Sequence, residues 1–148
     1  MDPGHGGYEG GVQGDSGISE KDVVLSIAIK VHTKLSTTPG ITTVLTREQD
    51  VSLSNQQRAG IFKAKQADLL ITLHAGGTFS RETQGIALYY PDAPALSRTD
   101  ISTGVHPQNH STRSRIIAQT LSTHLIQETS ANTLGIHAIP NPLFLAIN

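Results

Sequence analysis

The chain has 148 residues, a length typical of one domain with its own hydrophobic core. Its 11 basic and 12 acidic residues nearly cancel, giving a formal net charge of -1 without long runs of one charge. This balance argues against a nucleic-acid-binding surface or a membrane-surface patch, and no stretch is long and apolar enough to span a membrane. The sequence lacks cysteine, which leaves His, Asp and Glu as the strong metal ligands.

Short apolar segments alternate along the chain with segments in which apolar residues recur every three or four positions. The second pattern is typical of helices with one buried face. The apolar run 69–73 is continuous, as in a strand covered on both faces within a parallel sheet. The predicted elements are a loop over 1–17, a helix over 20–36 with Ser19 as N-cap and Asp22 as its capping-box partner, a strand over 41–45, a helix ending near 66, strands over 69–73 and 86–90, an irregular segment over 91–110, a helix over 111–128, a loop over 132–142 and a strand over 143–147. This alternation predicts an α/β domain of three layers, with a mostly parallel twisted sheet and helices on both faces.

Two histidines stand where the chain passes into glycine. His5 is followed by Gly6 and Gly7, and His74 ends the apolar run and precedes Ala75-Gly76-Gly77. Glycine after a strand end lets backbone and ligand approach each other closely, so both imidazoles are candidates for a site. Glu20, in the first turn of the predicted helix, could aim a carboxylate at the same point. Two imidazoles and one carboxylate, with one coordination position open, form the ligand set of a hydrolytic zinc site.

Each candidate residue also has a simpler interpretation. The glycines around His5 could cradle phosphate, although their spacing fits neither a G-x-G-x-x-G motif nor a Walker loop. Glu20 could complement the helix macrodipole, and His74 could be a strand-end histidine that is capped locally. Arg47 and Arg58 are predicted to form structural ion pairs or caps instead of an anion site.

The order of these motifs resembles that of zinc-dependent N-acetylmuramoyl-L-alanine amidases, the type 3 peptidoglycan amidases. The resemblance covers most of the chain. It is carried by Asp2-Pro3-Gly4-His5-Gly6-Gly7, Gly17-Ile18-Ser19-Glu20-Lys21-Asp22, Leu45-Thr46-Arg47 with Asp50, Gln57-Arg58-Ala59, the segment 67–75 and the segment 85–90. It implies an amidase-like fold, a single catalytic domain over residues 1–148, and zinc bound by His5, Glu20 and His74.

The resemblance also implies a reaction and its partners. The reaction is hydrolysis of the amide bond between N-acetylmuramic acid and L-alanine, as in autolysins and other enzymes of cell wall degradation. The partners are the glycan strands and stem peptides of peptidoglycan, and the segment 91–110 could line the groove that admits them. This activity belongs in the periplasm or in the extracellular cell wall, although the first residues lack the basic and apolar regions of a signal peptide.

The family's catalytic glutamate is expected beyond Asn148, because neither Glu82 nor Glu128 lies in a matching context. The resemblance therefore predicts a chain that is truncated at both ends, without the family's first and last strands. Two alternatives stay open. One is a catalytically impaired, amidase-like domain that binds peptidoglycan without cutting it, and the other is a different metal-dependent amide or peptide hydrolase with the same ligands.

Overall fold

A computed structural model describes residues 1–77, 82–91 and 107–139 of the chain. The chain divides into two units, one formed by Met1–Gly77 and the other beginning at residue 78. The elements are β1 (Asp2–Pro3), α1 (Glu20–Leu35), α2 (Asn55–Ala64) and β2 (Thr72–Leu73) in the first unit, and β3 (Ile86–Pro91), α3 (Pro107–Thr129) and β4 (Thr133–Ile139) in the second.

In the first unit, β1 and β2 form a parallel pair in which Asp2 lies opposite Thr72. The other edge of β1 faces residues 44–46, which exchange backbone hydrogen bonds with Met1. The short strand that leads to His5 is therefore held along both of its edges.

Helix α1 begins after Ser19, as predicted, and contacts β1. Its buried residues are Glu20, Val24 and Ala28, and the two apolar ones are at most 1% exposed. The predicted capping box with Asp22 is wrong, because the Ser19 side chain makes no capping hydrogen bond. The first two amides of the helix instead donate to carbonyl oxygens of the glycine-rich loop, which leaves no need for the side chain.

Helix α2 begins with a complete capping box. The Ser54 side chain accepts a hydrogen bond from the Gln57 amide at 3.2 Å, and the Gln57 side chain accepts one from the Ser54 amide at 2.8 Å. These contacts satisfy amides that the helix itself cannot pair. The buried residue of α2 is Arg58, whose guanidinium reaches the carbonyl oxygen of Pro3 in β1 at 3.0 Å.

In the second unit, β3 and β4 form another parallel pair, with Tyr89 opposite His137. The two rings are in tilted contact, with their centroids 5.3 Å apart. Helix α3 contacts both strands, and Ala118 and Ser122 are the buried residues over 111–129. Parallel pairing in both units, together with the helices, confirms the predicted α/β class.

The predicted helices and the strand over 86–90 are confirmed, with ends shifted by a few residues. The predicted loop over 1–17 contains β1, and the predicted loop over 132–142 contains β4. The segment 41–45 is not a strand, and only Thr72–Leu73 of the apolar run is one. Leu69, at the start of that run, is 47% exposed, so the prediction of a strand covered on both faces is wrong.

These differences have physical causes. β1 has only two residues, too few to show any periodicity in the sequence. Val44 and Thr46 bond to Met1, next to a strand of two residues that is too short a partner for a ladder. β4 contains Gly135 at φ +98°, a residue type that is depleted in strands, and its pairing with β3 provides the stability that local preference does not.

Two predictions fall wholly or largely outside the described residues: the strand over 143–147, and the irregular segment over 91–110 apart from its two ends. Residues 107–110, at the C-terminal end of that segment, belong to α3, which begins four residues earlier than predicted. Within the described ranges, none of the helices combines the length and the apolar character needed to cross a membrane.

Candidate metal centre

The structure brings His5, Glu20 and His74 together in the first unit. Nε2 of His5 lies 3.3 Å from Oε2 of Glu20, and Nδ1 of His74 lies 3.1 Å from Oε1 of the same carboxylate. The two imidazole rings meet edge to face, with their centroids 4.9 Å apart. One ligand atom from each residue lies within 4.8 Å of the others, so the three side chains could hold a metal ion.

Glu20 is the most enclosed member of the group, with its side chain 3% exposed. The Val12 amide donates to Oε2 at 3.0 Å and the Ala75 amide donates to Oε1 at 2.9 Å. Burial alone raises the pKa of Glu20, but these two amides and the neighbouring His5 and His74 outweigh it and hold the pKa below its ordinary value. The carboxylate is therefore ionised and fixed in orientation, as a metal ligand must be.

His5 is held in an uncommon backbone conformation, with φ +57°. Few residues other than glycine adopt this left-handed region, so its presence at a candidate ligand indicates an imposed geometry. Arg58 donates to the His5 carbonyl oxygen at 2.8 Å and forms a buried ion pair with Asp2 at 2.6 Å. Asp2 also accepts a hydrogen bond from the Thr46 hydroxyl at 2.6 Å. This buried network fixes the segment that ends in His5.

A second, more exposed network closes the loop after His5. Lys21 donates to the carbonyl oxygen of Gly7 at 2.8 Å and to the Asp50 carboxylate at 2.6 Å, and the Gly7 amide donates to the same carboxylate at 2.7 Å. These contacts hold the pKa of Asp50 below its ordinary value. The network ties the loop that follows His5 to the residue that follows Glu20.

Two glycines are required by close packing around the site. A Cβ at Gly4 would overlap the His74 ring, and one at Gly11 would lie 2.6 Å from a Glu20 oxygen and 2.7 Å from the His5 ring. Gly11 also has φ +67°, which favours glycine. The glycine-rich loop therefore lets the backbone pass directly over the three side chains.

The sequence predicts that the side chains of His5, Glu20 and His74 converge, and the structure places one ligand atom from each within 4.8 Å of the others. Arg58 forms the predicted structural ion pair, with Asp2, whereas the hydrogen bonds of Arg47 go to backbone carbonyl oxygens. The sequence gives no sign that the amides of Val12 and Ala75 are partners of Glu20, because side-chain identity carries no signal for such backbone contacts. The burial of Asp2 against Arg58 was not predicted either, although Asp2 belongs to the motif around His5.

A family model described as "N-acetylmuramoyl-L-alanine amidase" matches residues 1–146 of this chain. The amidase LytC of Bacillus subtilis (strain 168) is 40% identical over 90 residues, which cover 61% of this chain and 18% of LytC. The amidase AmiA of Escherichia coli (strain K12) is 31% identical over 150 residues, which cover 98% of this chain and 50% of AmiA. The chain thus spans half or less of the length of these curated relatives.

The fold is similar to that of solved amidase structures. The crystal structure of N-acetylmuramoyl-L-alanine amidase from Clostridium difficile 630 superposes with a TM-score of 0.77 and 26% sequence identity. The superposition covers 96% of this chain and 69% of that structure. The α/β arrangement described above is therefore the fold of an amidase catalytic domain.

Proposed function

Because this chain belongs to the N-acetylmuramoyl-L-alanine amidase family, we propose that it hydrolyses the amide bond between N-acetylmuramic acid and L-alanine in peptidoglycan. We further propose that His5, Glu20 and His74 hold the zinc ion used in this reaction. The observation that carries both proposals is the convergence of these three side chains from distant parts of the chain.

The donor set fits zinc. Zinc is commonly bound by imidazole nitrogens and carboxylate oxygens at about 2.0–2.2 Å, and tetrahedral ligands at that distance lie about 3.3–3.6 Å apart. The His5 and His74 nitrogens lie 3.3 Å and 3.1 Å from the two different oxygens of Glu20, and a set with one ligand atom from each residue lies within 4.8 Å. Binding of zinc would therefore require the ligands to move slightly closer together. Three protein ligands also leave one position for water or substrate, as in catalytic zinc sites.

The charge and orientation of the site are set by the chain itself, without a bound ligand. Glu20 contributes a negative charge that its backbone partners keep ionised and oriented, and the His5 and His74 side chains are 14% and 24% exposed. Because Glu20 is almost fully enclosed, substrate must approach from the side of the imidazoles. Zinc bound there would act as a Lewis acid that activates water and polarises the scissile carbonyl.

The reaction also needs a group that takes a proton from water and gives one to the departing amine. Glu20 is unsuited to this role because each of its oxygens already accepts a backbone hydrogen bond. Within residues 1–77, 82–91 and 107–139, no further acidic residue joins the cluster. We therefore assign none of the described residues to proton transfer.

The proposed partners follow from the reaction. The glycan strands and stem peptides of peptidoglycan are the substrate, and the place of action is periplasmic or extracellular, in the cell wall. We propose that residues 1–148 act as one amidase-like catalytic domain.

The test measures zinc content and peptide release together. Purified protein is titrated with zinc, and His5→Ala, Glu20→Gln and His74→Ala are compared with His124→Ala, which removes a histidine of α3. We expect one zinc per chain in wild type and His124→Ala, and substantially less in the other three. Unchanged zinc content in His74→Ala would remove the proposed site.

Activity is measured as the release of free stem peptide from purified peptidoglycan, with and without a chelator. Release that the chelator abolishes supports the amidase proposal. Peptidoglycan binding without release would favour the binding domain instead. Equal cleavage of muramyl peptides and plain peptides would indicate a different metal-dependent hydrolase.

A further inference from the structure

Arg47 is buried, with 3% of its surface exposed, and within the described part of the chain each of its hydrogen bonds ends on a backbone carbonyl oxygen. A buried guanidinium normally requires strong partners, because burial of a charge is costly. Burial and the charge of Arg58 both lower the pKa of Arg47. The acceptors are Pro3 at 3.1 Å from Nε, Gln49 at 3.2 Å from Nη1, and Gly4 at 2.8 Å and Lys21 at 3.0 Å from Nη2.

Two of these acceptors adjoin candidate ligands. The Gly4 carbonyl belongs to the peptide group that leads into His5, and the Lys21 carbonyl belongs to the residue after Glu20. One nitrogen of Arg47, Nη2, donates to both carbonyls. Since Nη2 carries two hydrogens in a rigid plane, its two hydrogen bonds fix the separation of the two segments.

Lys21 also joins the two segments, because its ammonium donates to the Gly7 carbonyl oxygen at 2.8 Å. Its other partner, the Asp50 carboxylate, is 46% exposed, and exposed ion pairs contribute little and are screened by salt. Arg47 makes a buried hydrogen bond to the Gly4 carbonyl oxygen, at the peptide group that leads directly into His5, whereas Lys21 reaches Gly7, two residues farther along. Arg47 is therefore the link that lies closer to the ligand residue.

We propose that Arg47 is a positioning residue that sets the distance between His5 and Glu20 and, through it, the metal affinity of the site. The affinity part of this inference rests on the proposed zinc site, whereas the positioning part holds for the metal-free protein. A guanidinium placed this way acts on the ligands through their backbone.

The first measurement is made without metal. NMR of the apo protein records nuclear Overhauser effects between the His5 ring protons and the Glu20 side chain. We expect these signals in wild type, their loss in Arg47→Met and weaker signals in Arg47→Lys, whose single ammonium cannot bridge both carbonyls in the same plane. Val24→Ala, a core change in α1, is the control for general destabilisation and is expected to keep the signals.

The second measurement is zinc affinity, by competition with a chelating dye. We expect affinity to fall about tenfold or more in Arg47→Met and by a smaller factor in Arg47→Lys, as for other groups that orient metal ligands. Val24→Ala is expected to bind zinc like wild type despite a lower melting temperature.

The outcomes separate the two proposals. Retained His5–Glu20 signals in Arg47→Met would overturn the positioning role, whether or not zinc binds. Should Arg47→Met fail to fold, unchanged signals in Arg47→Lys would overturn it equally. If the metal-free wild type showed no His5–Glu20 signals, the positioning role would be overturned, because the two side chains would not be in contact. Wild-type signals that are intact in a protein that binds no zinc would reject only the metal site.

Discussion

Gly4 lies against the imidazole ring of His74 so closely that a Cβ at residue 4 would overlap three atoms of that ring. Gly4→Ala should therefore displace His74 from Glu20. We expect zinc affinity to fall about tenfold or more, because the displaced ring no longer meets the other ligands. Isothermal titration measures the affinity, and circular dichroism checks that the secondary structure is kept. Wild-type affinity in Gly4→Ala would contradict the packing described here.

Gly60→Ala provides the matched substitution at an open position. Gly60 lies within α2, and nothing approaches the position of an added Cβ within 4 Å. Alanine in a helix is favoured over glycine by about 0.5–1 kcal/mol, so the free energy of unfolding should rise by about that amount. Urea denaturation measures the change, and zinc affinity should equal that of wild type. A loss of stability would show that α2 does not extend through this residue as a regular helix.

Asp2→Ala should cost far more stability than the loss of a surface carboxylate. Asp2 and Arg58 are 5% and 8% exposed, and the substitution leaves the guanidinium buried without its counterion. Removing one partner of a buried pair typically costs about 3–5 kcal/mol. Denaturant unfolding measures this cost. Asp22→Ala, at an exposed position of α1, is the control and should change stability by no more than about 1 kcal/mol.

Asp50→Asn should lower stability in a way that depends on pH. Hydrogen bonds from Lys21 and from the Gly7 amide hold the pKa of Asp50 below its ordinary value, so folding favours the ionised carboxylate. This contribution is fully present above the ordinary aspartate pKa of about 4 and is lost as pH falls through the lowered pKa.

Melting temperatures of wild type and Asp50→Asn, measured from neutral to acidic pH, test this expectation. The two should differ at neutral pH and converge at the acidic end. High salt should reduce the difference at neutral pH, since the carboxylate is 46% exposed. A difference that stays constant with pH would mean that the ion pair with Lys21 does not contribute to stability.

The site was more predictable from sequence than the sheets were. His5 precedes Gly6, His74 precedes Ala75-Gly76-Gly77, and Glu20 follows a residue suited to begin a helix, so residue type and position together indicated a cluster. The Val12 amide that holds Glu20 depends on how the loop over residues 10–12 folds back onto the start of α1, and the Ala75 amide depends on where the chain passes after β2. That arrangement arises from tertiary contacts and has no periodic signature.

The strands illustrate the opposite case. β1 and β2 have two residues each, so pairing with a distant segment defines them and local preference does not. β4 combines alternating apolar residues with Gly135 and His137, and glycine weakened the strand prediction. The helices were predictable because their apolar spacing extends over many residues.

The parallel register of Asp2 with Thr72 sets an order of events during synthesis. At translation rates of about 5–20 residues per second, the segment containing Asp2 waits about 4–14 s before its partner strand exists. During that interval the nascent chain contains Asp2 and later Arg58, which are buried together in the folded protein. His74, the third member of the cluster, has not yet been made. The proposed binding of metal by all three residues therefore becomes possible only after nearly all of the first unit has been synthesised.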